Sequence, residues 1–157
     1  MKKTKNKEVV FEDGKLTIKD PETNGRWKPE DGDVYFTVLG TGEVNENVWS
    51  FHIHNDSHRF AIGNVFKTEE EARNMIERLK IRAEMLDLGG REEFRANQKN
   101  FYISGDIQAD TIFATNSGGK PYLNTIYFDT RDEAKKAINA VGVHRLKKML
   151  FGENRAQ

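Results

Sequence analysis

One phrase of twelve residues occurs twice in this chain, at a fixed separation. Residues 65–76 read VFKTEEEARNMI and residues 127–138 read YFDTRDEAKKAI, 62 positions later. Phe66/Phe128, Thr68/Thr130, Glu71/Glu133, Ala72/Ala134 and Ile76/Ile138 are identical between them. Thr followed three residues later by Glu is the signature of a capping box, in which hydroxyl and carboxylate each take a backbone N–H. An aromatic strand end precedes each box and an apolar helical row follows it. Both copies therefore predict the same local event, a strand passing into a capped helix, and a fold assembled from two similar pieces.

The rest of the pattern can be laid around these two anchors. Residues 8–19 alternate about Asp13-Gly14, a dipeptide suited to a tight hairpin turn. Residues 20–32 carry two of the three prolines and predict a loop, with Trp27 as an anchor against the sheet. Strands are expected over 33–39, 43–53 and 59–66, with Trp49, Phe51 and Ile53 on the core side of the second. Behind Thr68, the residues Ala72, Met75, Ile76, Leu79, Ala83 and Leu86 recur at helical spacing and predict a core-facing stripe that ends at Gly89-Gly90. In the second half, strands are expected near 100–107, 110–115 and 121–128, then a helix from Thr130 and a short last helix over 143–151. The expected class is α+β: antiparallel sheets in two pseudo-repeated β-β-β-α units with a short C-terminal helix. The expected divisions are an N-terminal hairpin and linker (1–25), a first unit (26–90) and a second unit (91–157), packed as one domain.

Composition narrows the chemistry. Ten Phe, four Tyr and two Trp are enough for a packed core, and the absence of cysteine excludes disulfides, thiolate catalysis and cysteine-ligated zinc. The basic and acidic residues balance at 25 each, but residues 131–155 hold seven basic against three acidic side chains. No stretch reaches the roughly 20 apolar residues that cross a bilayer. The basic N-terminus lacks the apolar middle of a signal peptide, so a cytoplasmic location without a membrane partner is expected.

Three groups of residues invite a functional reading. His52, His54 and His58, with Asp56 between them, are weak candidates for a metal site, since alternate strand residues share a face. Lys135, Lys136, Arg145, Lys147 and Lys148 are candidates for nucleic-acid or partner binding, with Phe101, Tyr102, Tyr127 and Phe128 as stacking surfaces. Asp106, Asp110 and Asp129 fall at strand ends, where carboxylates commonly serve turns. Gly118-Gly119-Lys120 lacks the spacing of a phosphate-binding loop, and no serine sits in a nucleophile-elbow pattern. No catalytic residue and no cofactor is therefore assigned.

The segments Trp27-x-Pro29-x-x-Gly32-x-x-Tyr35-Phe36, Arg59 to Ala72 and Ile126 to Gly152 together resemble a widespread group of small proteins from phages and prophages of Gram-positive and gut bacteria. The resemblance spans residues 26–152 and rests on structural motifs, so it transfers no catalytic residue. It implies a non-enzymatic interaction protein in the cytoplasm of a bacterial host, binding a host protein stoichiometrically, with a defence nuclease among the candidates as for anti-CRISPR inhibitors. A nucleic-acid-binding accessory protein is the alternative, and a metal-dependent hydrolase the third reading.

Overall fold

The computed structural model describes residues 8–12, 15–19 and 26–152. The elements run β1 (Glu8–Glu12), β2 (Lys15–Lys19), β3 (Val34–Val38), β4 (Val44–Val48), α1 (His54–Ala61), α2 (Glu69–Asp87), β5 (Phe101–Asp106), β6 (Thr111–Asn116), β7 (Tyr127–Phe128), α3 (Arg131–Val141) and α4 (Val143–Phe151). The class is α+β, with antiparallel sheets and a short C-terminal helix. β1 and β2 pair with Glu12 opposite Lys15, as a two-residue connection requires. The Asp13-Gly14 turn itself, and residues 20–25 of the expected loop, lie outside the described residues. The chain divides into two compact units, residues 1–39 with 44–72 and residues 40–43 with 73–157, so one division falls just inside the first turn of α2.

In the first unit, β-branched and aromatic residues form β3, which pairs with β4 so that Tyr35 faces Asn47 and Thr37 faces Asn45. Alternation sends Tyr35 and Thr37 inward, both essentially sealed from water. The ladder runs one step past β4, through Trp49 N–H to the Asp33 carbonyl at 2.8 Å, and then breaks.

Here the structure departs from the sequence reading. Residues 54–61 are helical, so the first three residues of the expected third strand, 59–66, belong to α1. Only its last residues behave as a strand. The Asn64 side-chain amide bonds both the Val38 N–H (2.7 Å) and the Val38 carbonyl (2.8 Å), and Phe66 exchanges two 3.0 Å backbone bonds with Phe36. The physical reason is the end of α1. Gly63 takes a φ of +82°, and the N–H groups of Gly63 and Asn64 return to the carbonyls of Phe60 and Arg59. That is a Schellman closure, which a glycine makes cheaply. Because the strand stops at Val48, Phe51 and Ile53 stand about half exposed, while Trp49 is buried as expected. Trp27 is only half-buried, and Pro29 beside it is sealed.

The second unit is a three-stranded antiparallel sheet in the order β6-β5-β7, with helices on one face. Phe101 and Ile103 of β5 and Ile112 and Ala114 of β6 alternate onto that face. They meet Ala134, Ala137, Ile138 and Val141 of α3, Leu146 of α4, and Ile81 and Met85 of α2 in one apolar cluster that includes the fully buried Phe128. Gly105, on the same face, leaves room for the Phe151 ring: a Cβ there would stand 2.4 Å from it. The expected strand 121–128 forms only at Tyr127 and Phe128, because the Tyr127 hydroxyl holds the preceding loop by bonds to the Tyr122 N–H (2.6 Å) and carbonyl.

Both capping boxes form. Glu71 N–H reaches the Thr68 hydroxyl at 3.2 Å, and Glu133 N–H reaches that of Thr130 at 3.1 Å. Each Glu carboxylate returns to the cap's own N–H, at 3.4 and 3.0 Å. α2 ends with Gly89 and Gly90 N–H on the carbonyls of Leu86 and Met85, a second Schellman closure. The halves share the strand end, cap and helix start, with Phe66 bridged to β3 as Phe128 is paired to β5, but in the first half α1 takes the opening residues of the expected third strand.

Candidate functional site

α2 carries more apolar residues than one face can bury. Ile81 and Met85, one turn apart, lie in the core of the second unit. Met75 and Leu79 belong to the row expected to face the core, and they are 36% and 48% exposed. The correction has a simple cause. The helix has two apolar rows, with Arg78 and Arg82 running between them at i, i+4 spacing, and the sheet takes the Ile81 row. The other row is left as the wall of an open groove.

That groove encloses about 600 Å³ within the second unit. It is lined by Met75, Leu79 and Met85 of α2 and by Met149 and Leu150 of α4. Ile103, Asn124, Thr125 and Ile126 complete the lining. Three of the chain's four methionines line it, and their unbranched, polarisable side chains suit a surface that adapts to its occupant. Among the described residues its charged lining is Arg78 and Arg82, so the groove is mostly apolar with a positive row on α2. Arg82 bonds Glu92 at 2.5 Å.

The wall geometry is fixed by Arg145 of α4. It donates to Glu77 at 2.6 Å and to both Glu84 oxygens at 2.7 and 2.8 Å, tying α4 to α2. The guanidinium holds the Glu84 carboxyl below its usual range, and the two carboxylates raise the Arg145 pKa further. This clamp was not anticipated from the sequence. Arg145 stands there as one of a run of basic residues, and its partners lie 61 and 68 positions away.

The five basic candidates are thereby dispersed. Lys135 and Lys136 lie exposed on α3. Arg145 is engaged as described, Lys147 bonds Asp110 at 2.5 Å, and Lys148 lines a small pocket with Glu77 and Arg78. A nucleic-acid phosphate would compete with carboxylates already in place at two of the five. The aromatic pairs are spent in packing: Tyr127 and Phe128 are buried, and Phe101 and Tyr102 are partly covered.

The histidine group is also separated. His54 and His58 lie one turn apart on α1 with ring centroids at 5.4 Å, and His52 precedes the helix. Asp56 turns inward, 2% exposed, accepting from the Tyr35 hydroxyl at 2.6 Å, the Ser50 N–H at 3.0 Å and Arg59 at 3.3 Å. Arg59 also donates to Tyr35 Oη and Asn47 Oδ1, which closes a buried polar network between α1 and the hairpin. Burial, then the bond to Asp56, push the Tyr35 hydroxyl pKa up. Among the described residues, no three His, Cys, Asp or Glu side chains are placed to share a metal ion.

The strand-end carboxylates have structural partners. Asp106 accepts the Gln108 and Ala109 N–H groups, and Asp129 accepts from Arg91 and Gln98, each at 2.9 Å. No described helix is long and apolar enough to cross a membrane. No family model, curated protein or solved structure matches the chain.

Proposed function

We propose that this chain acts by binding a protein partner, and that the second unit carries the binding surface. The observation that supports this is the open groove between α2 and α4, where Met75, Leu79 and Leu150 are each more than a third exposed beside a packed core. Contiguous exposed apolar surface with a polar rim marks interaction sites. Placing the partner in a bacterial host, with a defence nuclease as one candidate, rests on the resemblance of residues 26–152 alone.

The test is a tagged pull-down from a bacterial lysate after nuclease treatment, comparing the native chain with Leu79→Glu. The expected result is one protein retained in stoichiometric amount by the native chain and lost by the variant. Nucleoprotein that vanishes with nuclease would favour the nucleic-acid reading instead. A partner kept equally by Leu79→Glu would remove the groove from the interface.

A further inference from the structure

The groove has a definite chemical complement, and this inference deepens the protein-binding reading and rests on it. Two helices, α2 and α4, and the aliphatic Ile103 and Ile126 line the groove. Along α2, Met75 and Leu79 are one turn apart, and so are Arg78 and Arg82 in the adjacent row. An occupant meeting both rows must therefore repeat an apolar group and an anionic group at roughly 6 Å intervals, side by side. A second helix does this with residues i and i+4. No carboxylate lines the groove, and Arg78 has no ion-pair partner among the described residues. Arg82 has one, Glu92 at 2.5 Å, but that carboxylate is more than half exposed, and an exposed pair of this kind is weak enough to exchange for an occupant's carboxylate.

We infer that the groove seats an amphipathic α-helix of a protein partner, with an aliphatic row against Met75, Leu79, Met149 and Leu150 and two carboxylates one turn apart facing Arg78 and Arg82. This is the helix-in-groove mode, in which apolar anchors supply affinity and flanking charge sets orientation and choice of partner. A second copy of this chain fits worse. A two-fold interface centred on the groove would bring the Arg78 and Arg82 rows of both copies together with no carboxylate in the lining to receive them. Basic helices, the usual ligands of other methionine-rich grooves, are repelled for the same reason.

The test uses the full chain and two labelled peptides of roughly 18 residues, matched to the length of α2. Both carry leucines at helical spacing. One places glutamates at i, i+4 along one flank, and the other places lysines at the same positions. Fluorescence polarisation should show the acidic peptide binding at least about tenfold more tightly than the basic one, weakening as salt rises. The double variant Arg78→Glu/Arg82→Glu should reverse that preference, and Leu79→Glu should abolish binding of both peptides. Arg78 and Leu79 are exposed and Arg82 is partly exposed, so a thermal melt by circular dichroism should confirm unchanged folding. Equal binding of the two peptides, binding of neither, or a preference untouched by the arginine variants would overturn the inference. Self-association through this face, lost in Leu79→Glu on light scattering, would overturn it too. The pull-down separates the two levels. A partner lost in Leu79→Glu, together with a flat peptide result, refutes the acidic helix and leaves the protein-binding reading standing.

Discussion

The two units are held together by different physics. The first is centred on hydrogen bonds: Tyr35, Asp56, Arg59, Asn47 and Thr37 connect α1 to the hairpin, with Trp49 edge-on to Tyr35 at 5.6 Å. The second is centred on packing, where Phe128 joins the aliphatic side chains of α2, α3 and α4 in one cluster, and the buried Asn100 adds a sealed hydrogen-bonded side chain. A hydrogen-bonded centre specifies one geometry and fails sharply when a member is lost, whereas an apolar centre loses stability in proportion to the volume removed. Both units expose apolar side chains, but in the packed one those of two helices line a common groove, which suits it to carry a binding surface. Both tryptophans, Trp27 and Trp49, belong to the first unit, and most of the helix belongs to the second. Tryptophan emission and the helical signal at 222 nm therefore report on them separately.

The largest effect should come from the packed centre. Phe128→Ala removes a fully buried ring and should cost about 4 kcal/mol. The midpoint of the 222 nm denaturation curve should fall well ahead of the tryptophan midpoint. If both fall together, the two centres unfold as one, and the distinction drawn here has no thermodynamic meaning.

Asp56→Ala should follow at about 3 kcal/mol, since it strands the Tyr35 hydroxyl, the Ser50 N–H and part of Arg59. Here the tryptophan midpoint should move first. Tyr35→Phe alone should cost about 1 kcal/mol and almost nothing further in the Asp56→Ala background. Additive losses in that cycle would mean the two groups do not work as a network.

How much of this was legible in the sequence follows the same division. The capping boxes, the Gly89-Gly90 stop and the strands β3, β5 and β6 are local events, written in residues within a few positions of one another. α1 runs through residues that read as a polar turn, 55–58, and as the start of a strand, 59–66. The contrary signal was Gly63-Asn64, a helix stop with nothing but polar residues to announce the start. Asp56 was grouped with the histidines because they are neighbours in sequence, whereas its partners Tyr35 and Arg59 are chosen by the fold. Of the stripe on α2 assigned to the core, Ala72 is buried and Leu86 packs against the core, whereas Met75, Leu79 and Ala83 are exposed, and no periodicity tells which of two rows a sheet will take. The Arg145 clamp joins residues more than sixty positions apart and leaves no local trace.

The repeated caps offer a smaller test. Thr68→Ala and Thr130→Ala each remove one acceptor for a helical N–H and should each cost about 1 kcal/mol. Thr130 starts α3, which lies wholly in the second unit, so its loss should appear at 222 nm alone. Thr68 precedes the division at Ala72, and its loss should disturb both signals. Identical responses to the two substitutions would show that the shared sequence motif matters more than the unit that contains it.

The smallest effect should be electrostatic, and its sign is fixed. Asp129 has its carboxyl pKa lowered, first by the hydrogen bond from Arg91. A carboxylate lowered by folding adds stability that is present above its unfolded value, roughly pH 4, and is lost as pH falls through the lower folded value. Glu84 behaves in the same direction through Arg145, and both belong to the second unit. The 222 nm midpoint should therefore drop on acidification below about pH 4, and Asp129→Asn should flatten part of that drop, by less than about 1 kcal/mol because the group is half exposed. Alkaline loss cannot separate the regions, because Tyr35 in the first unit and Tyr102 in the second both have raised pKa values, chiefly through burial. Raised tyrosines hold their contribution below about pH 10 and lose it as pH climbs through the folded value. Acid titration is thus the condition that distinguishes them, and an acid limb left unchanged by Asp129→Asn would show that the Arg91 bond exchanges with water as readily in the folded chain as in the unfolded one.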